Sequence, residues 1–110
     1  MMNSCSFIGR LTADPKRFDG ETSRVCFTLA VDSDNYKGSK ETADYLDFVA
    51  WNKTAEYIDR HFNKGDLMCV ANSRARVRQY ENSDGIKVRK IEFEVGKAYC
   101  VGRSRTVNEE

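Results

Sequence analysis

Apolar residues recur at every second position through several separate stretches of this 110-residue chain, and at helical spacing through only one. Period two sends successive side chains to opposite faces of an extended strand, so most of the chain is committed to a sheet whose core face is built from alternate residues. The clearest case is Arg24 to Val31. There Val25, Phe27, Leu29 and Val31 share one face, and Cys26, Thr28 and Ala30 share the other. A first strand is expected from Asn3 to Thr12, with Gly9 at a bulge or close backbone approach and Asp14-Pro15 as its end.

Between Asp32 and Asp44 the composition turns polar, which predicts a long exposed loop or hairpin arm with Tyr36 as its one aromatic. Strand character returns from Tyr45 to Trp51, with Tyr45, Asp47, Val49 and Trp51 on one face and Leu46, Phe48 and Ala50 on the other. The single helical stretch is Asn52 to Lys64: Ala55, Ile58 and Phe62 lie at i, i+3 and i+7, Asn52 is the expected N-cap, and Gly65 supplies the stop. Leu67 to Tyr80 then reads as one long strand bent near Asn72-Ser73, with Ala75 and Val77 directed to the core. Asn82-Ser83-Asp84-Gly85 is a hairpin turn. The return strand switches apolar parity between Val88 and Ile91, which predicts a bulge at Arg89-Lys90, and Tyr99-Cys100-Val101 closes the folded part.

Three strands, a helix and two long strands are the order of an all-β, five-stranded Greek-key barrel with one short α-helix between strands 3 and 4, the OB-fold. One domain over residues 1–102 and a short flexible tail over 103–110 are expected.

Composition narrows the function classes. The apolar runs are too short to span a bilayer, and the N-terminus lacks the charged start and long apolar stretch of a secretory signal, so a cytoplasmic protein is expected. The four cysteines form no Cys-x-x-Cys pair, and the lone His61 is far from them in sequence. They are read as small buried hydrophobes, with no metal site and no cofactor. No phosphate-binding Gly-x-x-x-x-Gly-Lys loop, His-Glu-x-x-His pattern or nucleophile-base pair is present, so an enzyme is not expected.

Net charge is +1, yet its distribution is uneven: residues 74–105 hold 9 basic and 4 acidic groups, whereas residues 1–73 hold 9 basic and 11 acidic. Arg74, Arg76, Arg78 and Tyr80 are spaced by two and so project from one strand face. A solvated face usually mixes signs, because like charges at i and i+2 repel. Three arginines in a row suit an external anion, and guanidinium forks match phosphate. Tyr45 and Trp51 share a face opposite Phe48, so an inward Phe48 leaves the indole outside. Bases stack on exposed rings for about 1–3 kcal/mol each regardless of sequence, which makes arginines beside such rings a platform for unpaired strands.

These residues also resemble a family, the bacterial-type single-stranded DNA-binding proteins. The carriers are Ile8-Gly9-Arg10-Leu11 with Asp14-Pro15, Val25 to Ala30, Asp44-Tyr45 through Phe48-Val49-Ala50-Trp51-Asn52-Lys53, and Ala55-Glu56 with Phe62-Asn63-Lys64-Gly65. The resemblance implies sequence-independent binding and protection of single-stranded DNA in replication, recombination or repair. It places stacking aromatics at Tyr36, Tyr45, Trp51 and Tyr80, with basic contacts at Arg10, Arg74, Arg76 and Arg78 and further ones at Lys53, Lys87 and Arg89. It also implies a homo-oligomer, dimers pairing into a tetramer, with the first strand as an interface element.

The chain departs from the family pattern in four respects. Three stacking places hold tyrosine. Asp47 sits on the expected DNA face, where it repels phosphate unless a neighbour pairs with it. The stretch from Gly65 to Tyr80 is one residue longer than usual, and the long tail with an acidic tip, through which replication or repair proteins are recruited, has only Glu109-Glu110 in its place. Two other readings fit the same residues: a primosome-type accessory protein acting mainly through protein partners, and an RNA-binding OB domain.

Overall fold

The computed structural model describes residues 1–33 and 43–104. Seven strands and one helix follow one another as β1 (Cys5–Leu11), β2 (Lys16–Phe18), β3 (Arg24–Asp32), β4 (Ala43–Trp51), α1 (Asn52–His61), β5 (Leu67–Glu81), β6 (Lys87–Glu94) and β7 (Lys97–Gly102). Five of the strands close a ring in the order β1, β3, β4, β6, β5 and back to β1, while β2 adds to β3 and β7 adds to β5. The ring is the expected barrel, and α1 lies between its third and fourth strands. The sequence reading did not resolve the three-residue β2, which is too short to show a period.

The barrel closes on four phenylalanines from four strands. Phe27 and Phe48 stack with centroids 5.3 Å apart, Phe7 meets Phe48 edge-on at 5.8 Å and Phe93 at 5.0 Å. Burying each such ring contributes roughly 1.5–3 kcal/mol. Ala55 and Ile58 of α1, with Phe62 just after it, join this cluster, so the helix plugs the core with the face its spacing predicts. Gly9 is a close approach: a Cβ there would sit 2.7 Å from the Ala30 carbonyl oxygen, where β1 crosses β3.

Four local expectations need correction. Asn52 does not cap the helix through its side chain. It takes a left-handed φ of 56° as the first helical residue, directly after the extended Trp51, and its N–H donates to the Ser23 carbonyl. Asparagine tolerates that conformation, which lets strand turn into helix without a linker. The helix ends at His61, because Phe62 is already extended. No bulge interrupts β6, whose pairing with β5 runs in unbroken register from Lys87↔Glu81 to Glu94↔Arg74. The apolar parity changes because Val88 lies on the outer face opposite Tyr80, while Ile91 keeps the parity of Phe93 yet is 58% exposed. Its cross-strand mate Val77, expected in the core, is 61% exposed, since this part of β5 has left the barrel and pairs only with β6.

The cysteines also differ from expectation. All four are free, but Cys5, Cys26 and Cys69 are half-buried and Cys100 is exposed. In β5 it is Met68 and Val70, flanking Cys69, that fill the core. Burial pushes the Cys26 thiol pKa up, which keeps it protonated.

The feature that orients the rest is in β5. Against β1, Cys5 pairs with Ser73 but Phe7 pairs with Val70, so β5 carries one extra residue in this interval, and Asn72 within it has φ 54°. This is a β-bulge. It reverses the parity of the strand: Met68 and Val70 point inward before it, Ser73 points inward after it, and Arg74, Arg76 and Arg78 are thereby turned outward. Gly96 packs on the bulge so closely that a methyl group would collide with the carbonyl oxygens of Asn72 and Ala71.

Beyond β7 the backbone stays attached. The buried Asp66 carboxylate accepts hydrogen bonds from the N–H groups of Asn63 and Ser104, at 2.9 and 2.8 Å, and pairs with Arg103 at 3.1 Å. Arg103 and Ser104, expected to begin a loose tail, are thus held against the end of α1; residues 105–110 lie outside the described residues. Burial alone would raise the Asp66 pKa, but the two backbone donors and Arg103 outweigh it and hold the carboxyl below its usual range.

Two outcomes are expected. Asn72→Gly keeps the left-handed turn and changes the melting temperature little, whereas Asn72→Val costs about 1–2 kcal/mol in urea unfolding. The lowered Asp66 pKa adds stability that is complete above the unfolded carboxylate value, about pH 4, and is lost as pH falls through the lower folded value. Asp66→Ala should cost about 3 kcal/mol at pH 7, and less in acid, in denaturation followed from pH 7 to pH 3.

Candidate nucleic-acid interface

Residues directly opposite one another across a ladder share a face, and the registers assemble one outer surface from six strands, β1 to β6. Its rows are Arg10, Ala30 and Tyr45; then Thr28 and Asp47; then Cys26, Val49, Glu94 and Arg74; then Phe18, Arg24 and Trp51. Along the arm formed by the outer parts of β5 and β6 the same face continues as Arg76 opposite Glu92, Arg78 opposite Lys90 and Tyr80 opposite Val88. Neighbours within a row are about 4.8 Å apart, the distance between strands, and successive rows about 6.7 Å, two residues along a strand.

Besides Phe18, three rings stand out of this surface among the described residues. Tyr45 is 69% exposed, Tyr80 50% and Trp51 38%, while Phe48 on the other face of β4 is fully buried. Trp51 shares one groove with Arg76 and Arg78, floored by Val49 and bordered by Arg24, Glu92 and Glu94. The indole and the arginine row therefore emerge on the same side. Tyr45 and Tyr80 share the surface but lie beyond that groove, one on β4 and one on the arm.

The arginines are not without acids. Glu94 accepts from Arg74 at 2.7 Å and lies 3.5 Å from Arg76, and Glu92 pairs with Arg78 at 3.3 Å. Sequence spacing along β5 could not reveal this, because the partners come from β6. The guanidinium groups are all more than half exposed, so each pair is worth about 0–1 kcal/mol. Pairs this weak leave the guanidinium forks open to exchange with another oxyanion of matching geometry, such as phosphate. The pairs hold the forks in an ordered row.

Asp47 is compensated too. Its carboxylate meets the Lys90 ammonium at 2.8 Å and accepts from the Thr28 hydroxyl at 2.7 Å. Lys90 and then Thr28 hold its pKa below the ordinary range against the opposing effect of burial, and Asp47 in turn raises that of Lys90. Lys90 is a cation of this face that sequence reasoning passed over; its parity with Arg78 is visible only in the hairpin register.

The remaining expected residues are distributed elsewhere. Arg10 lies on the same outer surface, two strands from Tyr45, with Nη1 donating to the Gly65 carbonyl at 2.9 Å. Lys87 and Arg89 pair with Glu81 and Gln79 and so occupy the opposite face of the arm, with Val77 and Ile91. Lys53 is turned by α1 into a different groove, with Tyr57, Lys97 and Tyr99. Tyr36 lies outside the described residues. Arg24, which no spacing argument selected, stands directly opposite Trp51.

Comparison with known proteins agrees with this geometry. The model of the single-strand binding protein family matches residues 2–100. The chain is 39% identical to single-stranded DNA-binding protein 2 of Clostridium acetobutylicum, over 78% of its own length and 66% of the relative's. It is 37% identical to the single-stranded DNA-binding protein of Enterococcus faecalis, over 100% of this chain and 59% of that one. With the Bacillus cereus single-stranded DNA-binding protein the identity is 40%, over 80% and 53% respectively. The chain thus spans between half and two thirds of the length of these relatives. A closed five-stranded barrel, rings and arginines on one outer surface, and a family match along almost the whole chain lead to one assignment: this chain belongs to the single-strand binding protein family.

Proposed function

We propose that this chain binds single-stranded DNA irrespective of sequence and protects it during replication, recombination or repair, as a binding protein rather than an enzyme. The observation that carries the reading is the shared groove of Trp51, Arg76 and Arg78. Bases from an unpaired strand stack on Trp51, and Tyr45 and Tyr80 extend the stacking along β4 and along the arm. The arginines release Glu92 and Glu94 and take phosphates. Neither contact reads base identity, because every base has a π-face and every nucleotide a phosphate. Arg10 and Lys90 add positive charge on the same surface. Tyr36, Lys53, Lys87 and Arg89 belong to the reading only through family resemblance.

The protein acts as a homo-oligomer in the cytoplasm. Support for assembly comes from an exposed apolar row on the outside of the β1, β5 and β7 sheet, where Ile8 and Tyr99 flank Cys69 and Val101 lies nearby. Isolated side chains of this kind are ordinary, but a contiguous row suits a protein contact. This row includes β1, the strand expected at the interface. Among the described residues no helix is long and apolar enough to cross a membrane.

Titration with oligo-dT should quench Trp51 fluorescence, and affinity should fall steeply between 50 and 200 mM salt. Binding without any change in the indole signal would remove Trp51 from the site, and equal affinity for oligo-rU would turn the reading toward RNA. Glu92→Gln with Glu94→Gln should tighten oligo-dT binding about three- to tenfold at low salt, by removing like-charge repulsion of phosphate. Weaker binding in this variant would mean that the glutamates are needed to hold the arginine forks.

A further inference from the structure

Phe18, Arg24 and Trp51 lie directly opposite one another on β2, β3 and β4, so the three side chains form one row across the outer surface. The Arg24 guanidinium carbon stands 4.3 Å from the centroid of the Phe18 ring. Arg24 borders the groove that holds Trp51, Arg76 and Arg78, and also the neighbouring groove between Phe18 and Trp51. It differs from the arginines of β5 in one respect. Each of those has a glutamate within 3.5 Å, whereas Arg24 has no acidic partner among the described residues.

That difference decides which cation meets a phosphate at least cost. Arg74, Arg76 and Arg78 must first give up an ion pair, but Arg24 only has to give up water. Stacking on an aromatic ring engages the π-face of a guanidinium and leaves its edge N–H donors directed outward in their fork. An arginine held this way loses little side-chain freedom on binding. The far wall of the second groove carries Asp19 and Glu21, so favourable ground for a polyanion stops at this row.

We propose that Arg24 is a primary phosphate ligand of the single-strand site, gripping the phosphate beside the base stacked on Trp51, and that Phe18 is the positioning residue that holds its guanidinium ready. This rests on the reading of the Trp51 groove as a single-strand site. The recognised group is a phosphodiester next to an unstacked base; no contact to the base edge is involved.

The test uses the full chain and the anisotropy of a labelled dT oligonucleotide across a salt series, so that it does not depend on the indole next to Arg24. Arg24→Ala should weaken binding about tenfold at 50 mM salt and reduce the salt slope by about 0.7, the value for one phosphate on a single strand. Arg24→Lys should keep the slope while losing part of the affinity, because the charge remains and the fork does not. Phe18→Leu should weaken binding about threefold, and Phe18→Tyr, which restores a flat ring, should recover it. Arg17→Ala removes the same charge from the next residue of β2, where the side chain pairs with Asp19 and with Asp59 of α1, and should leave the slope unchanged. Thermal melts check that each variant is folded. If Arg24→Ala loses no more than Arg17→Ala, or if Arg24→Lys loses the slope as well, the assignment to Arg24 is wrong while the single-strand reading stands. If the unmodified protein shows no salt-dependent binding to dT, the reading of the groove falls and takes Arg24 with it.

Discussion

One residue too many in β5 decides which way the arginines face. Side chains alternate strictly along a strand, so a stretch that buries Met68 and Val70 would ordinarily bury Asn72 and Arg74 as well. Burying an unpaired guanidinium is far too costly for that register to persist. The bulge at Asn72 removes the conflict at the expense of one left-handed residue, and asparagine accepts that conformation with little strain. Gly96 is then required to be small, because the displaced backbone occupies the space of a side chain. Core packing, strand direction and the outward row of cations are thus linked through a single backbone irregularity.

Charge on the outer surface is balanced rather than simply positive. Glu92, Glu94 and Asp47 each face a cation, and these weak, exposed pairs keep long side chains in place without committing them. Such an arrangement favours exchange: in the proposed function the acids neutralise the surface when no ligand is bound and give way to the phosphates of the strand. A net charge of +1 is therefore compatible with a nucleic-acid face, because what matters is which cations can be freed and how cheaply.

Much of this was legible in the residues. Period two in Val25 to Val31 and in Leu46 to Ala50, and the i, i+3, i+7 pattern of Ala55, Ile58 and Phe62, led to the barrel and its plug, since burial enforces those periods directly. The outward placement of Trp51 and of Arg74, Arg76 and Arg78 followed from the same arithmetic. The rest depends on who faces whom across a ladder. Glu92 and Glu94 under the arginines, Lys90 on Asp47, Lys87 and Arg89 on the opposite face of the arm, and Arg24 opposite Trp51 are all consequences of register, which one strand's composition does not contain. Val77 and Ile91 misled for a related reason: apolar residues at core parity were assumed to have a core above them, although the strands there have already left the barrel.

The departing arm has a mechanical consequence. Two strands without a third layer are only marginally stable in water, so opening should be easiest near the Asn82 to Gly85 turn and hardest where β5 enters the wall. Trp51 is mounted on the rigid end of this gradient and Tyr80 on the compliant end. A polymer caught between them has one fixed jaw and one that yields, so grip and release need not occur at the same place.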